Sequence, residues 1–334
     1  MKALVYTGPE GMEYRDAADP VAKGGEQLIR ISQVGICGSD MHAYLGHDDR
    51  RPAPLILGHE AAGVIEGGAR NGERVTINPL VSCGTCAACT SGRGNLCPDR
   101  QIISMPPREG AFAELVAMPD QNLVSVPDSV PLAKAALAEP IACGWHAVSK
   151  ARDTVPDAST ALVLGGGAIG LGAALSLAAR GIPDVTVVEP GAGRRRFLSE
   201  QCGQNAVTLE DLPADAQFDV VIDGVGYAAT RATASAHARP GGVIVHIGLG
   251  EDTGGLDVRR MTLQEITFIG TYTYTPEDFR QTAAAIFEGR LGPLDWVEAR
   301  PLTQGAQAFA DIRSGTVAAP KILLVPETAP EGGL

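Results

Sequence analysis

The chain is 334 residues long, 45% hydrophobic and 20% charged, with 27 basic and 39 acidic residues and a formal net charge of −12 at pH 7. That length allows about two domains, and that composition excludes a disordered or collagen-like polymer. An acidic chain with scattered arginines repels phosphate backbones and anionic lipid, so neither nucleic acid nor a membrane surface is expected as a partner.

Met1 and Lys2 run straight into Ala3, Leu4, Val5 and Tyr6 and then Gly8-Pro9-Glu10, without the apolar core of a secretory signal. A soluble cytoplasmic protein is expected. The N-terminal third reads as β-rich, with short apolar runs at 27–34 and 61–65 broken by Gly, Pro and Asp. Seven cysteines, an odd number, argue against a disulfide framework. Four of them form the run Cys83-x2-Cys86-x2-Cys89-x7-Cys97. Thiolates two or three residues apart can wrap one tetrahedral zinc, and four sulfurs close its shell, so this site is read as structural. An iron–sulfur cluster is the alternative, but the spacing does not match the ferredoxin patterns.

Near residue 135 the texture changes to strand–helix alternation. Strands are expected at 161–164, 185–188, 220–222, 243–247 and 267–269, with a helix at 169–180 after the first. Such alternation predicts a parallel sheet with helices on both faces. The uncharged stretch 158–179 has the length of a membrane span, but Gly165, Gly166, Gly167, Gly170 and Gly172 crowd it. It is read instead as a dinucleotide turn. Gly165 permits the tight turn, Gly167 the approach of a pyrophosphate and Gly170 the packing of helix on strand. Ala168 and Ile169 open the helix whose free N–H groups hold the phosphates. Glu189 ends the second strand nineteen residues after Gly170, where a carboxylate accepts ribose hydroxyls and repels a 2′-phosphate. That favours NAD over NADP, although Arg194, Arg195 and Arg196 could hold a 2′-phosphate instead. A helix at 276–288, a last strand at 322–325 and a frayed tail at 327–334 complete the expected order.

A third group is scattered: Cys37-Gly38-Ser39-Asp40-Met41-His42, Gly58-His59-Glu60 and Glu139-Pro140. Taken singly, each reads as structural. With the four-cysteine run, the glycine turn and Pro240-Gly241-Gly242, however, they fall in one order along nearly the whole chain. In that order the sequence resembles the zinc-dependent medium-chain alcohol and polyol dehydrogenases, and Glu139 in place of a cysteine resembles their sorbitol and galactitol-phosphate branch.

The resemblance implies an α/β architecture of two parts. A GroES-like β-rich catalytic domain would comprise residues 1–140 and 274–334, with a structural-zinc lobe at 83–97. A doubly wound Rossmann domain binding NAD would comprise 141–273. Two zinc ions per chain are implied: a structural one on the four cysteines and a catalytic one on Cys37, His59 and Glu139. Glu60 would stand beside the catalytic ion as a supporting group or transient ligand, and Asp40 would orient His59. Ser39 and His42 match the family's proton relay, with a histidine suited to its solvent end. Val225, Gly248 and Leu249 are further cofactor contacts, and Tyr274 and His47 are substrate candidates.

Three departures from the family pattern stand out. The stretch 64–75 is several residues short, which predicts a clipped hairpin. Thr273 stands where sorbitol dehydrogenases carry an arginine, which argues against sorbitol itself. The Arg50-Arg51 pair is the one basic candidate for a substrate phosphate near the metal motifs. The expected function is hydride transfer between a secondary alcohol, a polyol above all, and NAD, by a homodimer or homotetramer acting on a small molecule. A simple secondary-alcohol or threonine-type dehydrogenase is the runner-up. A non-catalytic nucleotide-binding relative is the reading from another class, and retention of the metal-ligand residues argues against it.

Overall fold

A computed structural model describes residues 1–329; the expected tail falls mostly outside them. The chain divides into two compact units, one of residues 1–139, 275–288 and 297–334, the other of 140–274 and 289–296. The segment 289–296 therefore groups with the dinucleotide-type unit and not with the chain end, where the sequence reading had placed it.

The first unit is built on a sheet in the order Leu123–Ser125, Arg74–Ile77, Glu60–Glu66, Glu26–Gly35, Lys321–Val325 and Val297–Pro301, with Leu115–Pro119 also paired to the long strand Glu26–Gly35. Its register positions the site. Gly35 pairs with Glu60 on one side and with Leu323 on the other. The first residue of one strand and the last of another therefore meet beside the middle of a third. A Cβ at Gly35 would fall on the Glu60 carboxylate, so a glycine is required there. The strands Glu60–Glu66 and Arg74–Ile77 pair antiparallel around a turn with Gly67 and Gly68 at positive φ. The short stretch 64–75 thus forms a tight hairpin.

The second unit holds a six-stranded parallel sheet in the order Asn205–Val207, Asp184–Val188, Thr160–Leu164, Phe218–Asp223, Ala238–His246 and Thr267–Gly270. This is the doubly wound order, with the first strand central and the crossover reversing beside it. The strand Thr160–Leu164 is almost wholly buried, as a central parallel strand must be. The three-residue strand Asn205–Val207 was missed, being too short and too polar to stand out as an apolar run. Glycine-turn residues lead into the helix Ala168–Ala179. The uncharged stretch 158–179 is therefore a strand and a helix, and no helix among the described residues is long and apolar enough to cross a membrane.

Candidate functional site

At the end of the first unit's sheet, Cys37, His59 and Glu60 bring one ligand atom each within 4.8 Å of the others. Cys37 caps the short helix Gly38–Tyr44, and His59 and Glu60 stand where the next sheet strand begins. His59 is 6% exposed and Glu60 1%. Asp40 is fully buried and ties the two segments together. It accepts from the Cys37 amide at 3.0 Å and the Gly58 amide at 3.3 Å, and one of its oxygens lies 3.5 Å from His59 Nδ1. Ser104 Oγ lies 3.4 Å from the same nitrogen. Both partners face Nδ1, which leaves the Nε2 lone pair as the atom that would bind a metal. This is the usual arrangement for a metal-binding imidazole.

The electrostatics follow the contacts. Burial disfavours charge on His59, but the Asp40 carboxylate and the Cys37 sulfur outweigh it and raise its pKa well above the usual imidazole value. Burial likewise opposes a charged Asp40, and His59 and Arg51 overcome it to hold the carboxyl below its usual range. Sequence reasoning missed Lys321. Its ammonium donates to the Ile36 carbonyl at 2.8 Å and lies 2.7 Å from each Glu60 oxygen. Burial lowers its pKa, yet Glu60 first, then Cys37 and Glu139, raise it. The available signal was a lone lysine at the head of the apolar strand Lys321–Val325. Glu139, in the first turn of the helix Ala138–Thr154, is 7% exposed and lies outside the close triplet.

The four cysteines Cys83, Cys86, Cys89 and Cys97 also gather their sulfurs within 4.8 Å of one another. Backbone N–H groups of Thr85 and Cys86 pull Cys83 down to about 6. A thiolate at neutral pH and three sulfurs around it fit one tetrahedral zinc.

In the second unit, Gly165 has φ +96°, a conformation open to glycine. A side chain at Gly167, which caps the next helix, would meet nothing nearer than Arg194 at 4.0 Å, so the turn is open where a pyrophosphate would lie. Glu189 is held on both sides of the turn: one oxygen accepts from the Gly166 amide at 2.9 Å, the other from Gly191 at 2.7 Å. Burial lowers the Arg194 pKa against the pull of Glu189, which places the two side chains in one neighbourhood. Val225, Gly248 and Leu249 lie on the loops after the strands Phe218–Asp223 and Ala238–His246, where Val225 and Gly226 amides donate to Asp223 and Gly250 to the Val225 carbonyl. Ala168 and Ile169 form the helix start with Gly170 buried beneath.

The remaining candidates are spread. Ser39 is half-buried, and His42 and His47 are exposed. Tyr274 is 1% exposed and so is enclosed. Arg51 is 3% exposed and committed to protein partners, while the exposed Arg50 pairs with Asp48.

Comparison with known proteins agrees with this geometry. Residues 23–128 match the alcohol dehydrogenase GroES-like domain and residues 168–288 the zinc-binding dehydrogenase domain. L-galactonate-5-dehydrogenase of Escherichia coli K12 is 31% identical over 306 residues, covering 87% of this chain and 88% of the relative. Sorbitol dehydrogenase of Bacillus subtilis 168 is 32% identical over 293 residues, covering 82% of each. A zinc-binding dehydrogenase of Sinorhizobium meliloti 1021, solved with NADP, superposes with a TM-score of 0.87 at 27% identity, covering 97% of this chain and 99% of that one. The chain belongs to the zinc-dependent medium-chain dehydrogenases, oxidoreductases that act on CH–OH groups and use zinc and a nicotinamide dinucleotide.

Proposed function

We propose that the chain oxidises a secondary alcohol of a polyol, with NAD as acceptor. The observation that carries the reading is the convergence of half-buried Cys37 with buried His59 and Glu60, backed by Asp40 and Lys321. Cys37 and His59, with Glu139 as third ligand, would hold the catalytic zinc, and the four-cysteine lobe a structural one. When bound, the metal would supply Lewis acidity toward the alcohol oxygen and the dinucleotide a hydride acceptor. Asp40 holds His59 by Nδ1. Lys321 neutralises the buried Glu60 and keeps that carboxylate beside the ligands. Ser39 Oγ would take up the alcohol proton as it passes its own hydroxyl proton on, and His42, exposed on the last turn of its helix, would release a proton to solvent.

Glu189 supports NAD over NADP, even though the relative from S. meliloti holds NADP. The Glu189 carboxylate is fixed by two backbone amides at the end of its strand, where a 2′-phosphate would meet negative charge. A homodimer or homotetramer in the cytoplasm completes the reading. The edge strand Thr267–Gly270 has one unpaired side among the described residues, and two-fold interfaces are the commonest kind. Seven free cysteines suit a reducing compartment.

The L-galactonate relative favours a second reading, a hydroxyl on a sugar acid. NAD reduction against C4–C6 polyols, sugar acids, polyol phosphates, threonine and simple secondary alcohols, with NADP in parallel, tests both. Turnover of a polyol with NAD is expected; turnover confined to simple alcohols or threonine would overturn the polyol reading. Glu189→Ala should lower the NAD/NADP preference about 10-fold or more. An unchanged ratio would show that Glu189 does not contact the ribose.

A further inference from the structure

Arg51 is a buried cation without a role in the scheme above. Its Nε donates to the Ser104 carbonyl at 3.0 Å, and its Nη1 to the Ser39 carbonyl at 3.1 Å and to Asp48 at 2.8 Å. Its Nη2 reaches Ser39 Oγ at 3.4 Å and Ser104 Oγ at 3.5 Å. Ser104 is itself unusual: wholly buried, at φ +72°, with its hydroxyl 3.4 Å from His59 Nδ1. A guanidinium has donors only, so its approach leaves a Ser104 lone pair as the acceptor. An imidazole that binds a metal through Nε2 carries its proton on Nδ1 and donates there. The Ser104 oxygen therefore accepts from both sides, from Arg51 and from His59. The same guanidinium grips the backbone of Ser39, the residue before Asp40 in the helix turn that starts at Cys37.

We propose that Arg51 is a positioning residue for the metal centre, acting on His59 through the Ser104 hydroxyl and fixing the Ser39 segment at the same time. The proposal rests on the reading of Cys37 and His59 as ligands of a zinc ion. Asp40 is the stronger partner of His59, being charged; Ser104 and Arg51 add a second restraint from the opposite segment of chain. A lysine cannot replace the planar fork that spans two serines.

The test measures zinc release into a chromogenic chelator from the full-length protein, together with the visible spectrum of the cobalt-substituted form. The variants are Arg51→Lys, Ser104→Ala and Ser104→Gly. Loss of a partner behind a metal-bound histidine typically weakens the metal by about 10- to 100-fold. Release of one zinc equivalent about 10-fold faster is expected in all three, with a shifted cobalt band and the second equivalent unchanged. Ser104→Gly separates positioning from folding. It relieves the positive φ and so should melt no lower than Ser104→Ala, yet release zinc as fast. Arg51→Lys combined with Ser104→Ala should release zinc no faster than the faster single variant, because both act along one path. Unchanged release and an unchanged cobalt band in Ser104→Gly would overturn the proposal, even if Arg51→Lys fails to fold. A wild-type chain that binds only the cysteine-lobe zinc would remove the metal-centre reading and the proposal together. Two bound ions with unaltered release would remove the proposal alone.

Discussion

The two metal-binding groups in the first unit are assembled in opposite ways. The cysteine lobe takes its four sulfurs from fifteen consecutive residues, mostly at the surface, with short turns between them. Its geometry is local: Cys86 N–H points at Cys83 Sγ, and Cys83 N–H at Cys97 Sγ. The second group takes Cys37, His59 and Glu60 from chain segments that meet only because strand Glu26–Gly35 pairs with its neighbours in one register. It is buried but for half-exposed Cys37, and other charged side chains surround it: Asp40 and Lys321 in contact, and Arg51 behind Ser104. A closed sulfur shell needs little from the rest of the protein, whereas a centre with room for substrate must have its ligands held from behind.

The largest expected effects separate the two groups by what fails. His59→Ala should abolish alcohol oxidation and lose one of two zinc equivalents while the protein stays folded. Retained turnover would show that the reaction does not use this centre. Cys89→Ser should do the reverse. Structural zinc contributes about 10 kcal/mol of apparent binding energy in small zinc domains, so the lobe should become protease-sensitive and the melting temperature should fall. A protease-resistant lobe with the zinc gone would show that the loop holds its shape without the ion.

An intermediate effect tests the support behind the ligands. Asp40→Asn keeps the shape but removes the charge behind His59 Nδ1. It should weaken one zinc by about 10- to 100-fold and lower kcat more than it changes KM. Equal loss of both ions would contradict the separation of the two groups. Chelator titration of the wild type adds the order of events: the Cys37–His59 ion should leave first, with activity, before the lobe unfolds. Simultaneous loss of activity and fold would break the comparison.

Legibility in the sequence follows the same division. The cysteine run and the glycine turn declare themselves because their geometry is carried by residues close along the chain. The parallel strands appear as apolar runs because central strands are buried on both faces. Cys37, His59 and Glu139 could be united only by resemblance to a family, since no spacing rule encodes the pairing of Gly35 with Glu60. Lys321 lies 261 residues from its partner Glu60, and its role becomes visible only once their strands flank Glu26–Gly35. Arg51 looked like a site for anions because a pair of arginines in a polar run resembles one. Folding buries that side chain against Ser39 and Ser104 instead.

The smallest expected effect comes from a charged centre that needs no metal. In the second unit, Asp219 accepts from the Ser159 amide at 2.8 Å and the Thr160 amide at 3.0 Å, from both their hydroxyls, and from Arg239 on its other oxygen. Burial opposes its charge, but the Ser159 amide and Arg239 outweigh burial and hold its pKa well below the usual carboxylate range. A depressed folded-state pKa means stability that is present above the unfolded value near ~3.9 and is lost as pH falls through the folded value. Asp219→Asn should therefore cost about 2 kcal/mol at pH 7, the scale of one or two hydrogen bonds to a charged group. Both zinc equivalents should remain bound. In urea unfolding the difference between wild type and variant should hold down to about pH 4 and shrink below it. A difference that stays constant to pH 3, or a zinc ion lost with Asp219, would mean that this carboxylate acts other than through its own hydrogen bonds.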